Sequence, residues 1–371
     1  MTKQVPPLRS GSIIGILGTG QLGRMLSLAG AQLGFKTHIY GPEENAPASE
    51  VSWQTTTADY RDETALERFA QSVDVLTYEF ENVPQETANF LSQFVPVRPP
   101  VRALEVAQDR LTEKNFLKDC GLSVADFQDI QTYEDLKTAH QSFEGKGIIK
   151  TRRFGYDGKG QWRMTPETDL TALFHEIDNR PAICEAFIPF DGEVSVVAAR
   201  SVSGQTATFD MAENIHENHI LRHSFVPTGL AENLKQQASD MACHLLMELD
   251  YIGVLTLEIF VCQEKLLINE IAPRVHNSGH WTIDACATDQ FEQHMRAVAG
   301  WPLGSPQRQY DAVMTNLLGS EINHIGTLSE DEMTKIHFYG KHEAKAGRKM
   351  GHISRLFEAG QRPNIEGYKL F

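Results

Sequence analysis

One short stretch limits the possible folds more than any other. Ser12-Ile-Ile-Gly-Ile-Leu17 is an apolar run of strand length, Gly18-Thr-Gly20-Gln-Leu-Gly23 follows it, and helical spacing begins at once in Leu22, Met25, Leu26, Ala29 and Leu33. A strand that turns through glycines into a helix, with Gly34 suited to the helix end and a second apolar run over Lys36 to Tyr40, predicts a β-α-β unit. A further helix (Asp62 to Gln71) and strand (Asp74 to Tyr78) continue the alternation, which predicts a parallel sheet with helices on its faces. The same glycine spacing serves dinucleotide-binding folds, but those also place an acidic residue about 20 positions further on. Here the second strand ends His38-Ile39-Tyr40-Gly41 and the first acids, Glu43 and Glu44, come after Pro42. An NAD-dependent oxidoreductase therefore rests on the glycines alone.

The chain has 371 residues, more than a single core usually holds, so further domains must follow. Val95-Pro-Val-Arg-Pro-Pro100 breaks the alternation and marks the end of the first domain, with a helix over Asp109 to Cys120 beyond it. From Gly147 the pattern becomes strand (Gly147 to Lys150), glycine-rich turn and strand (Gln161 to Met164), a flap-like unit followed by a helix. Beyond Ala182 come strands over Ala182 to Ile188, Glu193 to Ala199, Val254 to Val261 and Leu266 to Ile271, with a helix over Glu232 to Leu249 between them. The expected division is 1–108, 109–184 and 185–371. No run approaches the roughly 20 apolar residues of a membrane span. Five cysteines lie far apart with no C-x-x-C pair, and no cationic hydrophobic leader opens the chain, which together suggest a reducing cytoplasm.

With 34 basic against 49 acidic side chains the net charge is −15, so the chain repels nucleic acid, and a phosphate site must be a local exception. One such exception is Lys150-Thr-Arg-Arg-Phe-Gly155-Tyr-Asp-Gly158-Lys-Gly160-Gln161. Its three glycines free backbone N–H groups while four cations neutralise a phosphate chain; an ordinary charged hairpin is the plain alternative. A second signal is a carboxylate pair. If Gln263 to Lys265 form a three-residue turn, Glu258 lies directly opposite Glu270, a repulsive arrangement that a divalent cation bridging to a triphosphate relieves. A register one residue off leaves both acids solvated. Downstream, Pro273-Arg274-Val-His276-Asn277-Ser-Gly-His280 sets a cation, an imidazole and an amide in a loop suited to an anion. Ser278 and Gly279 oppose the helix that a zinc pair at His276 and His280 requires.

These segments, together with Arg24-Met25 after the glycine turn, Asn269 beside Glu270, and Trp281-Thr282 after His280, resemble the N5-carboxyaminoimidazole ribonucleotide synthetases. Those are ATP-grasp enzymes of bacterial and fungal purine synthesis, and the resemblance runs from about Ile13 to at least His352. It implies a three-domain α/β and α+β ATP-grasp fold: a Rossmann-like pre-ATP-grasp domain (1–108), a small lid (109–184), and a C-terminal domain (185–371) carrying Mg²⁺ and bicarbonate sites. The implied reaction consumes ATP, bicarbonate and aminoimidazole ribonucleotide and gives ADP, phosphate and the N-carboxylated nucleotide through carboxyphosphate. By the same resemblance, Arg110, Lys150, Gly155, Tyr156, Asp157, Gly158, Lys159, Gly160, Gln161, Glu185, Ala186, Phe187, Ile188, Glu193, His216, Asn269 and Glu270 contact ATP, with Glu185 to Ile188 as the adenine hinge. Glu258 and Glu270 hold Mg²⁺. Gln21, Leu22, Glu79, Tyr156, Asp157, Lys341 and Arg348 bind the ribonucleotide. Asp157, Arg274, His276, Asn277 and Lys341 form the catalytic set, Asp157 as proton acceptor or orienting group and Arg274, His276 and Asn277 at the bicarbonate. A homodimer and a transient hand-off of product to the N5-carboxyaminoimidazole ribonucleotide mutase are further implications.

The basic run Lys341 to His352 carries four cations against one acid and suits the 5′-phosphate; a solvated basic turn is the alternative. His219 and His223, near His216, are expected to be solvent-facing or structural. Within the same fold, a formate-dependent glycinamide ribonucleotide transformylase is the nearest competing activity. The glycine motif leaves the oxidoreductase as the competitor from another class, and a nucleotide sensor without chemistry is disfavoured by the carboxylates and the anion loop.

Overall fold

The computed structural model describes residues 6–155, 158–178, 180–328, 330–365 and 368. Its first part is a four-stranded parallel sheet of β1 (Ile13–Leu17), β2 (Lys36–Gly41), β3 (Gln54–Thr57) and β4 (Val75–Tyr78), in the order β3-β2-β1-β4. The chain runs outward from β1 on one side and returns to β4 on the other, so the strand order reverses between β1 and β4. Ligand crevices in open α/β sheets form at such a switch point, outside the carboxyl ends of the strands. Helix α1 (Gln21–Gln32) follows β1, and α2 (Glu63–Gln71), N-capped by Asp62, precedes β4. The short α3 (Gln85–Leu91) and α4 (Val101–Ala107) then lead to α5 (Arg110–Asp119), whose N-cap Asp109 accepts from the amides of Leu111 and Thr112.

A second four-stranded sheet contains β5 (Phe127–Ile130), β6 (Gly147–Thr151), β7 (Gln161–Met164) and β8 (Ala182–Ala186), with α6 (Tyr133–Ser142) and α7 (Leu170–Ile177) packed on it. It owns a small separate core that includes Leu136, Ile149, Met164, Leu173 and Cys184. Helix α5 lies outside that core: its Leu117 packs with the large sheet.

The third part is a nine-stranded antiparallel sheet. Its strands are β9 (Gly192–Arg200), β10 (Thr206–Thr208), β11 (Ala212–Glu217), β12 (Ile220–Val226), β13 (Gly253–Cys262), β14 (Lys265–Ala272), β15 (Asp311–Leu318), β16 (Thr334–Phe338) and β17 (Lys349–Phe357). Helix α8 (Glu232–Glu248) covers one face through Leu234, Ala238, Leu245 and Leu246. On the other face, α9 (Thr282–Ala285) and α10 (Gln290–Val298) join the first part: Met25, Leu26 and Ala29 of α1 share one cluster with Met295 and Val298 of α10. A Cβ at Gly30 would lie 2.8 Å from Met295 Cε, so the absence of a side chain there sets how closely these helices approach.

Candidate active site

The three parts meet around a cavity of about 650 Å³, bounded by the loops after β1 and β4, the lid sheet and one face of the large sheet. Alternation along β13 builds its floor. Leu255, Leu257, Ile259 and Val261 join the α8 core, which leaves Glu258 and Phe260 facing the cavity.

Glu258 does pair with Glu270, but not through the expected turn. The turn has two residues, Gln263 and Glu264, both with positive φ (46° and 63°), and Cys262 pairs with Lys265. A tight turn continued regularly would set Asn269 opposite Glu258. Instead the register shifts between Ile259↔Ile268 and Glu258↔Glu270, leaving Asn269 as a bulge. Leu266 and Ile268 face the core before the bulge and Ile271 after it, so the extra residue turns Glu270 to the cavity. Nor do the two carboxylates face each other uncompensated. Arg110 Nη1 lies 2.9 Å from Glu270 Oε2 and His276 Nε2 lies 3.1 Å from Glu258 Oε1. Burial alone would raise the Glu270 pKa, yet Arg110 and Lys150 hold it down at about 2. The two acids, with the Asn269 amide between them, form an all-oxygen set of one or two carboxylates open to a cavity, which fits Mg²⁺.

The small sheet supplies a further cation. Lys150, at the end of β6, sits 3.0 Å from Glu185 Oε2 and 3.4 Å from Asn269 Oδ1. Glu185 lies within β8, and its carboxylate is turned inward to Lys150 and to Lys114 (3.5 Å). Burial opposes ionisation of Glu185, but those lysines hold its pKa low, and its Oε1 is buried without a hydrogen-bond partner. Ala186, Phe187 and Ile188 line the cavity beside it, with Phe190 stacked on Phe260 at 4.6 Å and 5°. Gly155, Gly158 and Gln161 line the flap side; Lys159 and Gly160 stand outside the lining, and Tyr156 and Asp157 lie outside the described residues. Glu193 and His216 face each other at 3.3 Å; burial would lower the His216 pKa, but the adjacent carboxylates raise it. His219 is exposed and lines the cavity, whereas His223 is buried and bonded to Thr315 Oγ1 at 2.8 Å.

In the anion loop, Arg274 is not a free cation. Its Nε donates to Glu81 Oε2 at 2.5 Å and its Nη1 to the carbonyl of Val275 at 3.1 Å. His276 caps a short turn: Ser278 N–H donates to Nδ1 at 3.3 Å, which leaves Nε2–H to donate to Glu258. The Asn277 amide is engaged reciprocally with Asn316, at 2.9 and 2.7 Å. His280 is buried against Gln290 Nε2 at 3.0 Å, so the two histidines of the loop serve different partners.

At the opposite end, Gln21, Leu22 and Glu79 line the cavity. Glu79 is 6% exposed and accepts from the backbone N–H groups of Gly20 and Gly23, at the N-terminus of α1. Burial raises its pKa against those hydrogen bonds. A side-chain carboxylate therefore occupies the place where a dinucleotide fold holds its pyrophosphate, which removes the oxidoreductase reading. Lys341 and Arg348 are not part of the lining. Lys341 Nζ donates to the carbonyl of Lys349 at 2.7 Å and Arg348 Nη1 to that of Glu343 at 3.1 Å, while Lys349 itself faces the cavity.

The residues that sequence reasoning passed over are mostly partners of those it named: Glu81 of Arg274, Lys114 of Glu185 and Asn316 of Asn277, with Phe190 and Phe260 stacked on each other. Only the apolar spacing Leu266, Ile268, Ile271, two residues and then three, signalled the bulge.

Comparison with known proteins agrees with this architecture. Residues 12–108 match the ribonucleotide synthetase preATP-grasp domain, 115–291 the ATP-grasp domain, and 312–361 the phosphoribosylaminoimidazole carboxylase C-terminal domain. The fold and its site define an ATP-grasp ligase. An N5-carboxyaminoimidazole ribonucleotide synthase of Brucella melitensis is 49% identical over 352 residues, covering 94% of this chain and 97% of that protein. The crystal structure of an N5-carboxyaminoimidazole ribonucleotide synthetase in complex with ADP superimposes with a TM-score of 0.91 at 40% identity, covering 96% of this chain and 94% of that one. The Aspergillus clavatus enzyme in complex with ADP and 5-aminoimidazole ribonucleotide gives 0.88 at 25% identity, covering 94% of each. The chain belongs to the N5-carboxyaminoimidazole ribonucleotide synthase family.

Proposed function

We propose that the protein carboxylates 5-aminoimidazole ribonucleotide at the expense of ATP. The γ-phosphoryl group passes to a bicarbonate oxygen, giving ADP and carboxyphosphate. The substrate amine then attacks the carboxyl carbon, or CO₂ released from it, and loses a proton as phosphate departs. The observation that carries this reading is the 3.1 Å contact between His276 and Glu258, which brings the anion loop against the carboxylate edge that would face a triphosphate.

Glu258 and Glu270 would hold Mg²⁺, which when bound neutralises triphosphate charge. Lys150 and Arg110 add fixed positive charge beside them. Phe187, Ile188 and the Phe190–Phe260 stack form an apolar slot suited to adenine. Arg274, oriented by Glu81, and His276 receive bicarbonate; Asn277 contributes by fixing the loop to Asn316. Gln21, Leu22 and Glu79 line the ribonucleotide end, with Lys341 and Arg348 at its 5′-phosphate and Asp157 as the group that receives or orients the amine proton. The small sheet β5–β8 with α6 and α7, which has its own core, acts as the lid that excludes water from carboxyphosphate, while α5 stays with the large sheet. A homodimer, a transient hand-off to the mutase and a cytoplasmic setting follow from the resemblance; the five cysteines, all unpaired, support a reducing compartment.

The test is phosphate release with ATP and Mg²⁺, comparing bicarbonate plus aminoimidazole ribonucleotide with formate plus glycinamide ribonucleotide, and NAD reduction as control. Release that depends on the first pair alone is expected. Equal or greater release with the formate pair would overturn the assignment.

A further inference from the structure

The carboxylate pair depends on one irregularity, the bulge at Asn269, and β14 carries it on the outer edge of the large sheet. Up to Ile268 that edge has backbone company: Ile268 N donates to the carbonyl of Ser123 at 2.8 Å, and Val124 bridges Ile268. Beyond it, side chains take over. Lys114 Nζ donates to the carbonyl of Asn269 at 2.7 Å and reaches that of Ile268 at 3.5 Å. Glu113 Oε1 accepts from Ile271 N. Both residues are buried, at 0% and 2% exposure. Arg110 projects from the same face of α5, three and four positions earlier, and binds the Glu270 carboxylate itself at 2.9 Å.

Burying a lysine and a glutamate carries a desolvation penalty, and apolar residues of similar volume often serve a core as well or better. What this pair does that apolar residues cannot is bond the backbone on both sides of the bulge. We infer that Glu113 and Lys114 are positioning residues that hold the Asn269 bulge and thereby aim Glu270 at the metal edge. The inference rests on the reading of Glu258 and Glu270 as the Mg²⁺ carboxylates.

The test uses the full chain, with Mn²⁺ as the probe and binding followed by electron paramagnetic resonance in the presence of saturating ADP. ADP binding without metal is measured in parallel. Lys114→Met keeps length and loses the donor; Glu113→Leu loses the acceptor, and Glu113→Gln keeps it. Lys114→Met and Glu113→Leu are expected to weaken Mn²⁺ at least tenfold, Glu113→Leu with metal-free ADP binding within about threefold because Glu113, unlike Lys114, does not touch Glu185, and Glu113→Gln to restore most of the loss. If Lys114→Met does not fold, the leucine and glutamine variants of Glu113 decide alone, and equal Mn²⁺ affinity in those two overturns the inference. So does a parallel loss of metal-free ADP binding in Glu113→Leu, which marks general support of the fold. Glu270→Gln separates the two readings. If it binds Mn²⁺ like wild type, the metal assignment fails and the inference with it. If it weakens Mn²⁺ while the Lys114 and Glu113 variants do not, only the positioning role is overturned.

Discussion

Replacing Gly18 by alanine probes the contact that distinguishes this glycine turn from a phosphate loop. The added Cβ would lie 2.2 Å from Glu79 Cγ and 2.7 Å from its Oε1, at a residue with φ of +114°. Carbon atoms in contact prefer about 3.5–4.0 Å, so Glu79 has to swing away. Its carboxylate then leaves the amides of Gly20 and Gly23, two charge-assisted hydrogen bonds in a buried setting. At ~1.5–3 kcal/mol each these amount to ~3–6 kcal/mol, to which the unfavourable backbone conformation adds ~1–3 kcal/mol. In a Glu79→Ala background the clashing atoms and both hydrogen bonds are already gone, so Gly18→Ala should cost only the backbone share. Urea unfolding of the four proteins of this double-mutant cycle, compared at common slope, is expected to give a coupling of ~3–6 kcal/mol, well above the ~0.5 kcal/mol scatter of independent sites. Equal cost of Gly18→Ala in both backgrounds would refute the reasoning and return the turn to a loop shaped for something other than Glu79.

Glu81→Gln removes the charged partner of Arg274 and should lower kcat by roughly 10- to 100-fold with the ATP Michaelis constant within about twofold, measured by phosphate release; a matching loss in ATP affinity reassigns Arg274 to the nucleotide. Glu258→Gln and Glu270→Gln should each sharply raise the Mg²⁺ needed for half-maximal rate, and because Arg110 and His276 lose charged partners, neither should stabilise the protein in thermal unfolding. The raised pKa of His216 makes a signed statement: the stability it contributes is complete below its ordinary value of 6.5 and is lost as pH rises through the folded value. Glu193→Gln should move that loss to lower pH, visible by NMR titration of the ring; an unmoved titration removes Glu193 as the cause. Lys341→Ala and Arg348→Ala should raise the ribonucleotide Michaelis constant about tenfold and leave that for ATP unchanged, while unaltered ribonucleotide binding places the 5′-phosphate elsewhere.

Periodicity made β1, α1, β2, α2 and β4 legible because strand and helix spacing alternate there, whereas β3, a polar Gln54–Thr57 run reached from β2 with no helix between, stayed hidden, and with it the strand order that sets the crevice beside β1. The sequence also pointed to Glu258 opposite Glu270, but through a turn one residue too long; the bulge at Asn269 supplied the missing residue, so two departures cancelled. Such cancellation is invisible to spacing arguments that count only from the turn. What stayed hidden were the long-range partners: Glu81 for Arg274, Lys114 for Glu185, and Asn316 for Asn277 lie 193, 71 and 39 positions away, and a charge or amide carries no mark of what it will face. Lys341 and Arg348 show the converse, since a cationic run was plain to see while its internal carbonyl contacts were not.

The apolar joint between α1 and α10 has a mechanical consequence. Because Met25, Leu26 and Ala29 share a core with Met295 and Val298, the glycine turn and the anion loop are fixed to one rigid frame, while the lid sheet keeps a core of its own. The molecule is thus a body with a single jaw rather than three beads on a string. An opening of that jaw would withdraw Lys150 but leave the distance from Glu79 to Arg274 untouched, so the end of the cavity lined by Gln21, Leu22 and Glu79 would keep its shape.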